Sequence, residues 1–430
     1  MKLKGYKKFI SDQINKNMFR KNVLTLFTGS FVSQVVLLIT MPIITRIYNP
    51  EQFGKLAIFL SIVSLISIVA TGQYELAIPI PRKEEDSRKL TSLTMLLSFL
   101  FSLSLMILIF LFFNKLASHI SFLNEFPYVY LVPFVIFMTG FELSLNQLLI
   151  YQNRFRQISS SSIIKTSSTV VTQLISSLSP IVSGLGLILG QTVGQVSSIL
   201  SLSWKSFPIN KKEEVNLNVL KGVAVRYQKF PKYSLPASLL NVASSQIMVI
   251  FLGGYFGASV AGQFLLAQKI LNIPVVLISS SVKGAFKERA SREYRKTGSF
   301  QKLYRRTFSS LAKFGVIPFL GFLLFSPYIV PFIFGSEWEL AGRFGQFFAL
   351  LYFLRYITNP LSFSITLTEN QDTFLKWQIV LVLSMLLIIY FSGFLNNPLL
   401  TVAVYALLYS LFYVVILILT YRYSRGSSGQ

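Results

Sequence analysis

With 430 residues, 53% of them hydrophobic and only 13% charged, and a mean hydropathy of +0.59, the chain falls outside the composition of soluble domains, which carry about a quarter charged residues. The net charge of +24 would suggest nucleic acid in a soluble protein, but in so apolar a chain it suggests basic loops beside an anionic membrane surface. The absence of cysteine excludes a disulfide framework, a thiolate nucleophile and zinc-finger ligands. The single histidine, His119, excludes a His-rich metal site.

A bilayer core about 30 Å thick asks for roughly 20 apolar residues per helix. Runs of that length occur at 22–47, 52–73, 90–113, 128–150, 160–180, 184–204, 233–254, 260–283, 307–328, 343–367, 374–394 and 399–421. They leave no stretch for a soluble domain, and they are too long for the alternating segments of a membrane barrel. The expected fold is therefore an all-α polytopic membrane protein with twelve transmembrane helices. The first run follows about 20 mostly polar residues and is too long for a cleaved signal peptide, so it reads as a retained span.

Basic residues fix the expected orientation. With a cytoplasmic N-terminus, inner segments hold 33 of the 40 Lys and Arg residues, and outer loops hold only Arg46, Lys55, Lys115 and Arg343. Lys269, Lys313 and Arg355 fall inside spans. Both termini are thus expected on the cytoplasmic side, and the basic excess needs no nucleic-acid partner. The chain divides into a basic N-terminal segment (1–21), a six-helix half (22–204), an inner loop (205–232), a second six-helix half (233–421) and a polar tail (422–430).

A faint internal repeat joins the halves at an offset of 208. Tyr48 to Gly54 aligns with Phe256 to Gly262, each a short outer turn after the first span of its half. Repeated halves are a common transporter plan, with the site at the repeat interface. Gly257 to Gly262 imitates a phosphate-loop spacing, but Gln263 stands where the lysine belongs. Gly184, Gly186 and Gly190 form no dinucleotide fingerprint. Gly186, Gly190 and Gly194 read as a close helix-packing face. No cofactor and no metal are expected.

Ionisable residues inside spans are the informative exceptions, each costing roughly 2.5–3.5 kcal/mol at a helix centre on insertion scales. Lys269 shares a helical stripe with Asn272, Ser279 and Lys283; Arg355 shares one with Tyr352, Asn359, Ser362 and Thr366. Glu142 has Thr139 and Asn146 beside it. These stripes suit a polar lumen, while a structural ion pair of Glu142 with Lys269 or Arg355 is the competing reading. Lys313 lies near a helix end, where it can snorkel. Arg46 and Glu75 sit at helix ends, where interface anchoring is the default. Hydroxyl stripes at Ser168, Thr172, Ser176 and Ser179, and at Ser234, Ser238, Asn241 and Ser245, serve equally as interhelical glue or as sugar-binding groups.

Gly29-Ser30-Phe31-Val32-Ser33-Gln34, the stretch from Pro42 to Gly54, and Glu75-Leu76-Ala77-Ile78-Pro79-Ile80-Pro81 resemble the first spans of Wzx-type polysaccharide flippases. Phe230 to Pro236 and Gly262 to Pro274 resemble the start of their second half. By span count the resemblance covers essentially the whole chain. It implies the fold of the multidrug, oligosaccharidyl-lipid and polysaccharide exporter superfamily: two six-helix lobes around a central cavity that opens alternately to each side. It also implies a transporter rather than an enzyme, in the bacterial inner membrane. The implied substrate is an undecaprenyl-pyrophosphate-linked oligosaccharide destined for O-antigen, capsule or a related glycan. Implied partners are that lipid-linked substrate, membrane lipids, a polysaccharide polymerase and a chain-length regulator.

On this reading Lys269 and Arg355 compensate the pyrophosphate, with Arg46 at gate level and Asn272, Asn359 and Tyr352 completing the cavity. Unlike some drug-exporting relatives, the chain has no acidic residue in its first span, which leaves Glu142 and Glu75 as the coupling carboxylates. A cationic-drug exporter of the same fold would prefer a carboxylate-rich cavity. A membrane-embedded glycan polymerase or ligase would need larger and more charged outer loops.

Overall fold

The computed structural model describes residues 28–119, 127–179, 185–204 and 217–426. The basic segment 1–21, residues 205–216 of the inner loop and the tail from 427 lie outside the described residues. Among the described residues, each of the twelve apolar runs contains a helix: α1 Thr28–Ile47, α2 Pro50–Ala70, α3 Glu84–His119, α4 Leu131–Tyr151, α5 Phe155–Ser176, α6 Gly186–Ser203, α7 Leu235–Tyr255, α8 Ala258–Thr297, α9 Gln301–Phe334, α10 Glu339–Leu361, α11 Gln371–Leu395 and α12 Pro398–Ser424. Among the described residues, nine helical stretches are long and apolar enough to cross a bilayer. The other three, α5, α6 and α10, are diluted by serine, glycine or charge. A short amphipathic helix, Leu217–Arg226, occupies part of the segment expected to be loop.

Two compact units form, and their border differs from the sequence halves. Residues up to Ile39 and Ile66–Pro236 make the first; Thr40–Leu65 and Ala237–Gln430 make the second. In the first unit, α5 and α6 approach closely, as the glycine spacing predicts. A Cβ on Gly190 would lie 2.8 Å from the Thr169 carbonyl oxygen, and one on Gly194 would lie 2.7 Å from that of Lys165. Tyr74, Ala77 and Ile78, in the turn after α2, pack with Leu90 and Leu93 of α3, Leu148 of α4 and Leu220 of the amphipathic helix.

In the second unit α10 is the central element, packed on α8, α9 and α12. Its start is anchored by Trp338, fully buried, whose indole N–H donates to the Thr45 carbonyl at 3.1 Å and whose ring meets Phe53 edge-on at 4.9 Å. Gln263 of α8 ties to the same corner. Its amide donates to the Glu337 carbonyl at 2.6 Å and accepts from the Ala341 N–H at 2.9 Å. The residue that stands in for a phosphate-loop lysine is therefore a structural clasp.

The repeat has a physical counterpart within this unit. A Cβ on Gly54 would fall 1.7 Å from the Ala258 carbonyl oxygen, and one on Gly262 would fall 1.9 Å from that of Pro50. Pro50 and Ala258 are aligned at the offset of 208, as are Gly54 and Gly262. Each glycine thus receives the helix start of the other repeat, and α2 crosses α8 with backbones in direct contact.

Candidate functional site

The position of α10 explains why Arg355 is enclosed. One turn earlier is Tyr352, 3% exposed, and the guanidinium carbon lies 5.5 Å from its ring centroid, within the range of a cation–π attraction. The far wall comes from α12, whose Tyr405, Tyr409 and Tyr413 recur every four residues and so stack along one face. Their ring centroids are separated by 5.5 Å and 5.4 Å. The Tyr409 hydroxyl lies 3.3 Å from the Ser244 hydroxyl of α7. Asn241 and Ser245 of α7 and Gln268 of α8 complete a cavity of about 120 Å³.

Among the described residues, no carboxylate pairs with Arg355 or Lys269. A guanidinium kept in an apolar bundle without a counter-ion is costly, and such charges mark functional sites. Its five N–H donors suit a bidentate phosphate contact, and the tyrosine hydroxyls add further donors. The volume decides what fits: about 120 Å³ is well below the roughly 300–1,000 Å³ of whole-ligand pockets. It admits a phosphate-sized group with water, not an oligosaccharide.

Of the residues singled out from the sequence, Arg355 and Tyr352 line this cavity together. Lys269 is half-buried on α8 beside the lining residue Gln268, and Asn272 lies one turn beyond it. Asn359 lies one turn beyond Arg355, where its carbonyl accepts from the Ser362 hydroxyl at 2.9 Å. Arg46 is exposed and reaches the Phe332 and Ile333 carbonyls at 3.4 and 3.5 Å. It thereby caps the C-terminus of α9, where a positive charge complements the orphan carbonyls. The tyrosine ladder is not among the sequence candidates, although its i, i+4, i+8 spacing is legible on α12.

Glu142 belongs to a separate network in the first unit. Its Oε2 accepts from Lys165 Nζ of α5 at 2.7 Å, and its Oε1 accepts from the Ser198 hydroxyl of α6 at 2.7 Å. Ser198 also meets Ser161 at 2.7 Å, and Gln195 donates to Thr139 at 2.8 Å. The competing reading, a pairing of Glu142 with Lys269 or Arg355, is not what forms: its partner is Lys165. Lys165, which is counted among the inner basic residues although it falls within the run 160–180, sits on the third turn of α5.

Glu75 follows two residues with positive φ, Gly72 and Gln73, whose turn carries the chain into the helical turn Tyr74–Ala77. It is only 4% exposed. One carboxylate oxygen accepts from the Gln73 amide at 3.2 Å, and the other has no hydrogen-bond partner among the described residues. Burial pushes its pKa above the usual carboxylate range. A carboxyl raised on folding contributes stability below its unfolded pKa, and that contribution is lost as pH climbs through the folded value. Glu75→Gln should therefore raise the thermal midpoint at pH 8 relative to wild type. It should also flatten the dependence between pH 5 and 8. Superimposable melting profiles for variant and wild type over that range would refute the assignment.

Residues 43–342 match the sequence profile of a family described as polysaccharide biosynthesis protein. No curated protein matches the chain in sequence. Among solved structures, the lipid II flippase MurJ in an inward closed conformation is similar with a TM-score of 0.71 and 15% identity, over 93% of this chain and 90% of that one. An inward-facing multidrug resistance MATE family transporter of the MOP superfamily gives 0.63 and 15%, over 92% and 93%. A MATE protein in a bent conformation gives 0.60 and 13%, over 93% and 94%. At these identities the likeness is one of fold, and it extends over nearly the full length.

Proposed function

The chain belongs to the polysaccharide biosynthesis protein family, and from that premise we propose that it is a flippase for undecaprenyl-pyrophosphate-linked oligosaccharide repeat units. It would carry them from the inner to the outer leaflet of a bacterial cytoplasmic membrane, with both termini cytoplasmic, by alternating access. The observation that carries this reading is Arg355, enclosed by four tyrosines and lacking a carboxylate partner among the described residues. A pyrophosphate leaving water needs a compensating cation, and an unspent guanidinium supplies one with matching geometry. The polyprenyl chain stays in lipid, so only the head group needs a polar path. Lys269, with Asn272 and Asn359, serves the sugars and the second phosphate, and Arg46 acts at gate level. Glu142 and Glu75 are the proton-coupling candidates. A polymerase and a chain-length regulator receive the product, feeding O-antigen or capsule assembly.

The drug-exporter alternative is weaker because a cationic cargo would face a cationic cavity. The direct test is reconstitution into liposomes with a fluorescent undecaprenyl-diphosphate disaccharide, followed by quenching of outer-leaflet probe with and without a pH gradient. The expected result is protein-dependent translocation, accelerated by the gradient in wild type and less so in Glu142→Gln or Glu75→Gln. Translocation of a cationic dye with none of the lipid-linked sugar would overturn the reading.

A further inference from the structure

A second cavity, about 1070 Å³, lies in the first unit, between the N-terminal turns of α5 and the C-terminal turns of α6. It belongs to neither the tyrosine cage nor the Glu142 network. Arg154, at the start of α5, and Arg156, in its first turn, both line it and are both exposed. Gln157 shapes it: the side-chain amide donates to the Ser201 and Leu202 carbonyls at 3.1 and 2.9 Å, pinning α5 to the end of α6. Ser168, Ser197 and Ser201 also line it, and among the described residues their hydroxyls make no hydrogen bond within the protein. Trp204 stands at the rim, 84% exposed. Glu84 is the carboxylate that feels Arg154 electrostatically, and it is already bonded to Arg88 and Gln152 at 2.9 and 2.8 Å.

We propose that this cavity is a loading site for the sugar-diphosphate head group, used before the substrate reaches Arg355. The inference rests on the flippase reading and adds to it a second site. Three features converge. Two guanidiniums on one short stretch can grip adjacent phosphates, each bidentately. Three unspent hydroxyls on the cavity wall match sugar hydroxyls, and an exposed indole offers an apolar face with a polar edge, as amphipathic recognition surfaces do. The volume stands at the top of the roughly 300–1,000 Å³ range of ligand pockets, enough for a diphosphate with one or two sugars, where the tyrosine cage holds only a phosphate. On the proposed topology both arginines lie on the cytoplasmic side, where lipid-linked sugars are made. Anionic phospholipid head groups offer the same phosphate chemistry, so the test must separate the two.

The full chain in phosphatidylcholine nanodiscs is titrated with undecaprenyl-diphosphate N-acetylglucosamine and, separately, with phosphatidylglycerol, binding being read from native mass spectrometry and from the part of the tryptophan fluorescence change that Trp204→Phe removes. Arg154→Gln/Arg156→Gln should weaken the sugar-diphosphate lipid about tenfold or more, the loss expected for one or two charge-assisted contacts, and leave phosphatidylglycerol unchanged. Ser197→Val/Ser201→Val should weaken the sugar-bearing lipid but not undecaprenyl diphosphate lacking the sugar. Both arginines are exposed, so the thermal midpoint should hold, and a variant that melts early is replaced by Arg154→Lys/Arg156→Lys, which keeps charge and loses the fork. If the arginine variant binds the sugar-diphosphate lipid as wild type does while Arg355→Gln does not, the loading site is wrong and the flippase reading stands. If only phosphatidylglycerol binding falls, the cavity is a lipid head-group site and the proposal fails. If wild type binds no sugar-diphosphate lipid at all, both fall.

Discussion

Arg355→Ala should abolish surface glycan in a complemented flippase-deficient strain while the protein accumulates in the membrane at wild-type level. Removing a bidentate charge-assisted contact removes about 3–4 kcal/mol, from roughly 1.5–3 per bond to a charged group and with imperfect additivity, so translocation should drop on the order of 100-fold or more. Stability should move the other way. No carboxylate pairs with Arg355 among the described residues, so the substitution orphans no buried charge, unlike the loss of one member of an ion pair. Arg355→Lys keeps the charge but not the planar fork and should retain about a tenth of the activity, if one of two contacts at roughly 1.4 kcal/mol is lost. Tyr409→Phe removes one hydroxyl, whose Ser244 neighbour lies 3.3 Å away, and should cost only a few-fold. Quantitative polysaccharide staining normalised to membrane abundance reads all three. Full surface glycan in Arg355→Ala would remove the assigned role, and loss of the protein itself would make Arg355 a folding residue.

How far the sequence reached depended on which kind of information each feature needs. Run length suffices to find the helices, because the bilayer sets the length and the backbone must satisfy itself; among the described residues every run contains a helix, serine-rich α5 included, and nine of the helical stretches are long and apolar enough to cross a bilayer. Small-residue spacing likewise points to the close packing at Gly190 and Gly194, whereas Gly54 and Gly262 stand out in the sequence only as an aligned pair of the repeat, and their contact is seen in the structure alone. Pairing between helices is different in kind, since it depends on how each helix is rotated about its axis, which run length leaves open. Glu142 was therefore offered Lys269 or Arg355, and Lys165 on the neighbouring helix takes it. The tyrosine ladder was hidden for another reason. Tyrosine is abundant in this chain, with 20 copies, and it sits at membrane interfaces by default, so three of them on α12 carry no signal without the fold that sets Arg355 among them. The amphipathic helix Leu217–Arg226 is too short and too polar to register as a span. It forms because Leu220 has the cluster of Tyr74, Leu90 and Leu93 to pack against. The border between units was obscured by loop length, since Thr40–Leu65 clusters with the second half through contacts such as Trp338 with Phe53 and Gly54 with Ala258.

Gly54→Ala and Gly262→Ala should each lower the amount of folded protein sharply, and the double variant should be little worse than either alone. The added methyl would overlap a backbone carbonyl oxygen, at 1.7 Å from Ala258 for the first and 1.9 Å from Pro50 for the second. A carbonyl within a helix cannot rotate aside as a side chain can, so α2 and α8 must separate along the crossing. Overpacking costs about 1–3 kcal/mol where neighbours yield; with backbone on both sides, each substitution is expected at or above about 3 kcal/mol. Separation also loosens the edge-on contact of Phe53 with Trp338 and the Trp338 hydrogen bond to Thr45, both of which start α10 on the path that encloses Arg355. Once one methyl has opened the crossing, the second finds the space already made, which is why the two effects should fail to add. Gly254→Ala is the control: nothing lies within 4 Å of its added Cβ, and alanine favours helix by up to about 1 kcal/mol, so that variant should melt at or slightly above wild type. Thermal midpoints of the four variants and wild type in detergent decide the matter. Additive losses would mean that the two glycines act at separate contacts, and the repeat would then be a likeness of sequence without a shared crossing.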